Sequence, residues 1–505
     1  MASFFIGQQC LKNIKMIKNF KWLLLASLAF VACNNDDEVT IDSNSSDGKP
    51  LTAGTADVTK YVALGDSYGA GFSDNALFKL AQEGSYANLL ANQFVLAGGG
   101  EFKTPFMADN IGGLLLGGNV IQGPRLFFNG AAGLAPVPGK PSTEVTTKLT
   151  GPFNNLSVPG AKSYHLLAAG YGNVAGVAAG LANPYFARFA TSAATTVVAD
   201  AVAQNPTFFS LWIGGNDVLG YATSGGTGKD QKGNLNPATY AASDITDPSV
   251  FASVYSNIVN TMTAKGAKGI VANLPYVTAL PFFTTVPYNP ATLSATQASD
   301  LNNAYDAYNR DLIAAKNAGL ITETERLART INFTTGANGV IVVDEYLTTV
   351  NVPGLVLPSL RLTTSGDYIV LSSGGVSTQG FLLQGNGTRF PLTDKWVLSK
   401  AEVLEVKAAT DAYNATIKTV ADAKGLAFVD LRPIMDQIAG PGIVFNGYNT
   451  TSAFIFGGMF SLDGVHPSPR GYAIISNYFA QAINAKYGAN FKSVNVGLYR
   501  ILYPA

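Results

Sequence analysis

Five short apolar runs constrain the fold of this 505-residue chain more than any other feature. They are Tyr61–Leu64, Asn155–Val158, Phe208–Ile213, Gly269–Leu274 and Ala427–Leu431. Turn-forming residues close each one: Gly65, Pro159-Gly160, Gly214-Gly215, Pro275 and Pro433. Short continuous runs without polar alternation suit parallel strands buried on both faces. Helical patterns separate them, at about 85–94, 185–204, 249–265, 296–317, 398–424 and 469–486. Strand and helix in strict alternation predict a doubly wound α/β fold with a five-stranded parallel sheet.

Length alone would allow about three domains. The alternation runs to the end of the chain, however, so 58–505 reads as one domain with long insertions at about 95–150, 220–247 and 276–400. The last insertion has β-like stretches of its own at 339–343 and 368–371. Two helical segments share Asp-Ala-Tyr-Asn, at 306–309 and 411–414, which reads as like composition rather than duplication. Gly112–Gly118 is glycine-rich but lacks a phosphate-loop lysine, and reads as a flexible apolar loop.

The amino terminus reads as an address. Lys15, Lys18 and Lys21 precede an apolar stretch from Trp22 to Ala32, which is too short to span a bilayer. Cys33 follows, then Asn34-Asn35-Asp36-Asp37-Glu38. The segment resembles a bacterial lipoprotein signal, with 1–32 removed and Cys33 acylated. Phe30 departs from the usual leucine of that pattern, and Met16 would make a more ordinary start than Met1. Removing 1–32 leaves 29 basic against 33 acidic residues. Residues 33–57 read as a flexible polar tether. The resemblance implies an exported, lipid-anchored protein of the cell envelope, at the outer membrane.

Composition narrows the chemistry. Lys plus Arg and Asp plus Glu number 33 each, so no basic excess points to nucleic acid. Two Cys and two His build neither a Cys/His zinc cluster nor a disulfide framework.

In open α/β sheets, ligands bind beyond the carboxyl ends of the strands. Ser67 lies there, in Gly65-Asp66-Ser67-Tyr68-Gly69. A serine nucleophile needs a base in hydrogen-bond reach, and the base needs an orienting partner. Asp463-Gly464-Val465-His466-Pro467 offers both, three residues apart on a turn that Pro467 stiffens. The other histidine, His165, has no acidic neighbour in sequence and reads as an ordinary helix residue. Gly160 and Asn216 follow the second and third runs and could supply hydrogen bonds to an oxyanion. Each segment alone also has a plain structural reading, as a helix cap, a turn or a loop.

Together, the four ordered segments resemble the SGNH (GDSL-type) hydrolase family. The matching residues are Gly65-Asp66-Ser67-Tyr68, Asn155 to Gly160, Gly214-Gly215-Asn216-Asp217 and Asp463 with His466-Pro467. Tyr68 stands where the family commonly has leucine. The resemblance implies a flavodoxin-like three-layer sandwich. It implies Ser67 as nucleophile, His466 as base and Asp463 as its orienter. It also implies an oxyanion hole from the Ser67 N–H, the Gly160 N–H and the Asn216 amide. The activity implied is hydrolysis of a carboxylic ester or lipid through an acyl-enzyme, without metal or organic cofactor. Two alternatives share the scaffold: a glycan- or lipid-binding lipoprotein without turnover, and an acyltransferase. No Gly-x-Ser-x-Gly elbow is present, which disfavours the α/β-hydrolase arrangement. The aromatic stretch Tyr276 to Tyr288 and the Gly-rich Phe94 to Leu134 either line an acyl pocket or pack over the added core.

Overall fold

Four of the five apolar runs form the expected parallel sheet: β1 (Tyr61–Gly65), β2 (Phe208–Trp212), β3 (Lys268–Ala272) and β4 (Ala427–Val429). Their order is β1-β2-β3-β4, with Tyr61 opposite Phe208, Phe208 opposite Lys268 and Ala427 opposite Ile270. The fifth run corrects the expectation in part. It lies parallel to the free edge of β1, with bonds from Ala63 N to Asn154 O, Leu156 N to Ala63 O and Val158 N to Gly65 O. Yet it forms only an isolated bridge, at Asn155. The Asn155 side chain ties the segment locally, its Oδ1 accepting from Ser157 N and its Nδ2 donating to Gly69 O, while its backbone N donates to Lys103 O. With this segment at the edge, the spatial order is the flavodoxin-like 2-1-3-4-5.

The computed structural model describes residues 45–371 and 384–505. The signal segment 1–32 and Cys33 lie outside the described residues. All elements named here belong to one compact unit, 44–47 with 51–505. Among the described residues, no helix is long and apolar enough to cross a membrane.

Helices cover the sheet in two layers. One contains α2 (Tyr86–Leu96) and α9 (Pro469–Tyr487). Tyr86 and Phe94 of α2, with Phe479 and Tyr487 of α9, pack on Tyr61, Phe208 and Trp212. The other contains α3 (Val197–Val202), α4 (Asn216–Thr223), α5 (Pro248–Thr263) and α7 (Lys400–Lys424), where Phe251 stacks on Tyr413 at 4.2 Å. Between α5 and α7 the chain carries α6 (Ala295–Asn317). After β4 comes α8 (Leu431–Ala439). Capping explains the sharp starts. Ser399 and Ser294 form reciprocal boxes with Glu402 and Gln297, while Asp247 and Ser468 precede Pro at the first helical position.

Three further expectations change. The helix expected over 185–204 is broken into Pro184–Ala187 and Val197–Val202. The intervening residues bond elsewhere: Thr191 N donates to Asp200, and Thr196 caps the second piece through Ala199 N. The Gly112–Gly118 stretch is no loose loop. Leu114–Leu116 pairs with Asn119–Gln122, and Gly117 and Gly118, both at positive φ, make the two-residue turn between them. The described part of the tether is docked rather than free. Thr52 N donates to Asn490 Oδ1, Thr55 N donates to Tyr487 O, and Ala56 is buried. The third insertion forms antiparallel pairs, among them Ile341–Val343 with Leu360–Leu362 and Tyr368–Ile369 with Val397–Leu398.

Tyr487 ties α9 to the sheet. Its hydroxyl donates to Gly269 O at 2.7 Å and accepts from Gly269 N and Ala427 N, both at 3.3 Å. Tyr487→Phe strands these buried backbone groups. The expected outcome in urea unfolding is a loss of about 1–3 kcal/mol of stability with an unchanged denaturant slope.

Candidate active site

The carboxyl ends of β1 and β2, and the parallel segment beside β1, bring distant residues to one edge. Gly65 pairs with Trp212 and accepts from Val158 N, so Ser67, Gly160 and Asn216 all leave that edge within a few residues. Ser67 opens α1 (Ser67–Ala70), a single turn. Asp66 caps it, accepting from Tyr68 N at 3.0 Å. Gly71, at φ 85°, ends it.

Ser67 Oγ lies 2.8 Å from His466 Nε2, and His466 Nδ1 lies 2.8 Å from Asp463 Oδ2. Serine, imidazole and carboxylate therefore form one continuous hydrogen-bonded relay. The His466 ring is held between aromatic faces, with Tyr68 at 5.3 Å and Phe72 at 4.7 Å. Tyr68 OH reaches across to Val465 O at 3.2 Å, which fixes the loop carrying the histidine.

Asp463 is buried, and its oxygens are fully engaged. Oδ1 accepts from His466 N at 2.8 Å, Val465 N at 2.9 Å and the Ser461 hydroxyl at 3.1 Å. Oδ2 also accepts from Asn75 N at 3.0 Å. Burial would raise its pKa, but the His466 charge and these hydrogen bonds outweigh it and hold the carboxyl below its ordinary value. Asp463 is thus an anion facing the imidazole. The left-handed residues Asp74 and Asn75, at φ 52° and 66°, make the tight turn that aims Asn75 N at it.

Gly160 sits at φ 78°, with open space where a side chain would be. Among the described residues, no protein acceptor takes its N–H. The Asn216 amide donates to Ala161 O at 3.0 Å, which ties it to the residue following Gly160. Its neighbour Asp217 accepts from Ser163 N at 2.8 Å and Ser163 Oγ at 2.7 Å, locking the same two loops together. The structure thus joins Ser67, His466 and Asp463 directly, and joins Gly160 to Asn216 through Ala161.

His165 stands apart from the relay. Its Nδ1 accepts from Lys162 N at 3.0 Å, and its ring stacks on Tyr171 at 4.5 Å. Burial, with the Lys162 charge, lowers its pKa to about 4, so it stays neutral as a packing residue.

A small apolar pocket lies among core side chains beyond Tyr68 and Pro467, the chain neighbours of Ser67 and His466. Tyr68, Trp212, Pro275, Leu280, Ile438 and Pro467 are among its walls. The aromatic stretch after β3 contributes Pro275 and Leu280. Its Phe282 and Phe283 are instead buried, and Phe282 N donates to Gly464 O of the histidine turn. Sequence reasoning missed Tyr68, Phe72, Asn75 and Ser461 as supports of the relay. Only the placing of Tyr68 and Phe72 next to Ser67 signalled anything.

No protein-family model matches the chain, and no curated protein matches it. Solved structures do. One is LAE5, an α/β hydrolase enzyme from the metagenome of Lake Arreo, Spain. It is 11% identical at TM-score 0.30, over 85% of this chain and 96% of that one. An extracellular lipase from Streptomyces rimosus is 12% identical at TM-score 0.29, over 85% and 99%. An acetyl xylan esterase from Geobacillus stearothermophilus is 10% identical at TM-score 0.31, over 87% and 98%. Likenesses at these scores carry nothing for the chemistry, which rests on the geometry above.

Asp66, buried beneath Ser67, supplies a test of the site's electrostatics. Burial pushes its carboxyl up to about 7, against the Tyr68 N–H bond and the His466 charge. A raised pKa means the folded state holds the proton more tightly. Stability from this group is present at low pH and is lost as pH rises from about 4 to 7. Relative to Asp66→Asn, the wild type should lose about 3 kcal/mol between pH 4.5 and 7.5. Urea unfolding of both proteins at pH 4.5 and 7.5 measures it. Equal slopes in the two proteins would contradict the assignment.

Proposed function

We propose that this protein is a serine ester hydrolase acting on a carboxylic ester or lipid. The observation that carries the reading is the relay from Ser67 Oγ through His466 to Asp463, with both steps at 2.8 Å.

The chemistry follows from the atoms. His466 Nε2 takes the Ser67 proton as Oγ bonds to the ester carbonyl carbon, and the carbonyl electron pair moves onto oxygen. The N–H groups of Ser67 and Gly160 and the Asn216 amide serve as its donors. One Asn216 N–H is used on Ala161 O, which leaves the other oriented for the oxyanion. Asp463 accepts the Nδ1 proton of His466, which sets the tautomer and stabilises the imidazolium. As the tetrahedral species collapses, the alkoxide leaves with the proton from Nε2, and the acyl group stays on Ser67. Water, giving a proton to Nε2, then attacks the acyl carbon; the acyl C–Oγ bond breaks, Ser67 Oγ takes the proton back from Nε2, and the acid leaves. The apolar wall that begins at Tyr68 and Pro467, beside both reacting residues, favours an apolar ester portion.

A fluorophosphonate probe on the purified protein tests this. The expected result is a single adduct on Ser67, abolished in Ser67→Ala and in His466→Ala. Hydrolysis of an ester series should then improve as the chain lengthens from acetyl. A folded protein that stays unlabelled and inert would instead favour a binding lipoprotein.

We also propose that the chain is exported and lipid-anchored through Cys33. The supports are the three lysines before an 11-residue apolar stretch and the Ala32-Cys33 junction. Cys33→Ala should move the protein from the membrane fraction to the soluble one. Unchanged fractionation would refute the anchor.

A further inference from the structure

Three acidic residues from separate segments converge away from the serine site. They are Glu345, after the strand Ile341–Val343, Asp394, in the short turn Asp394–Trp396, and Glu402, in the first turn of α7. One carboxylate oxygen from each lies within 4.8 Å of the others. Like charges this close repel, and among the described residues no Lys or Arg forms an ion pair with any of the three.

The second observation is Glu402 itself. It is fully buried, and its Oε1 has no hydrogen-bond partner, while Oε2 accepts from Ser399 N at 2.5 Å. Glu405, one turn further along α7, shows what a satisfied carboxylate looks like here. Its two oxygens take the hydroxyls of Tyr221 at 2.6 Å and Tyr346 at 2.9 Å. The chain is shaped around the Glu402 carboxylate as well. Gly226, at φ 83°, lies where any Cβ would come within 1.8 Å of Oε1. Burial raises the Glu402 carboxyl, and the Asp394 and Glu345 charges add to that rise. Burial, then Glu345 and Asp344, push Asp394 up to about 6.

We propose that Glu345, Asp394 and Glu402 form a binding site for a hard divalent cation, and that the ion is Ca2+. All-carboxylate oxygen donors select hard cations over zinc or copper. Size then separates the two common ones. Metal–oxygen distances of about 2.3–2.6 Å for Ca2+ let ligand oxygens lie up to about 5 Å apart, whereas about 2.0–2.1 Å for Mg2+ limits them to about 4.2 Å. A set lying within 4.8 Å admits Ca2+, and three carboxylates suit it better than Mg2+, which usually keeps several waters beside one or two carboxylates. The ion's position would pin the third insertion, through Glu345 and Asp394, to the start of a core helix. The role is structural and independent of the serine chemistry.

The test is calcium titration of the purified, EDTA-treated protein by calorimetry, with the thermal midpoint read in parallel. One Ca2+ should bind per chain, and about a hundredfold excess over Kd should raise Tm by a few degrees. Mg2+ should bind more weakly. Glu345→Gln changes an exposed residue and should leave the fold intact while weakening Ca2+ at least about tenfold. Glu402→Gln should abolish the Tm response. No heat and no Tm shift at millimolar Ca2+ would overturn the proposal and leave Glu402 simply protonated. Binding that ignores Glu345→Gln and Asp394→Asn would place the ion elsewhere, and a preference for Mg2+ would overturn the assignment of the ion.

Discussion

The buried Asp463 carboxylate is the constraint around which the site is assembled. A carboxylate taken from water must be matched by donors or a counter-charge, or it protonates. Asp463 is matched by Asn75 N, Val465 N, His466 N, the Ser461 hydroxyl and the His466 ring. These donors lie almost 400 positions apart in the chain, so satisfying one anion forces the loop after Ser67 onto the turn before α9. Neighbouring bonds close the same seam. Asp74 N donates to Ser461 Oγ, Leu462 N to Asp74 Oδ1, and Ser73 Oγ to Pro467 O. The relay geometry at Ser67 follows from a desolvation requirement two residues away from the chemistry.

Much of this was legible in the sequence, for identifiable reasons. β1 to β4 are continuous apolar runs, and burial on both faces leaves no other reading for them. The long helices are marked by caps such as Ser399-Glu402 and Ser468-Pro469, which physics makes local. Ser67, Asp463 and His466 were legible because four short segments in order resemble the SGNH pattern, and one of only two histidines in the chain falls in the last of them. What was hidden depends on partners distant in sequence. The Asn155 side chain reaches Gly69 O and Ser157 N, links that no local pattern shows. The 185–204 helix breaks because Asp200 folds back on Thr191. Glu345, Asp394 and Glu402 have no common spacing, so no pattern could have grouped them.

The low charged fraction, 13%, has a structural counterpart. Long irregular insertions carry many backbone groups that no ladder satisfies, and here helix asparagines satisfy them. Asn414 accepts from Leu274 N and donates to Leu274 O, both at 2.8 Å, pinning the chain beyond β3. Asn309 does the same to Ile331, at 3.0 and 2.8 Å. These are the asparagines of the two Asp-Ala-Tyr-Asn segments, so the shared sequence reflects a shared mechanical task. Asn484 grips Phe491 and Asn477 grips Val494 in the same way. A primary amide mirrors the donor–acceptor pair of a peptide and adds no charge to desolvate, so it suits burial better than Lys or Glu would.

The same economy governs the acids near Ser67. Asp217 and Asp66 are buried and the Asp463 side chain is 9% exposed, yet their environments separate them. Asp463 is kept ionised by the imidazole and its donors. Asp217 is raised by burial despite its bonds to Ser163. Asp66 has one N–H donor and the Asp217 charge beside it, and burial takes it to about 7. An acyl-transfer site must hold one negative charge to support the imidazolium and must not hold another beneath a developing oxyanion. Burial leaves Asp66 about half protonated at pH 7, while the imidazole and a full set of donors leave Asp463 charged. The division of labour between two aspartates therefore comes from their surroundings, the adjacent imidazole first and the hydrogen-bond donors second, not from any difference in the side chain.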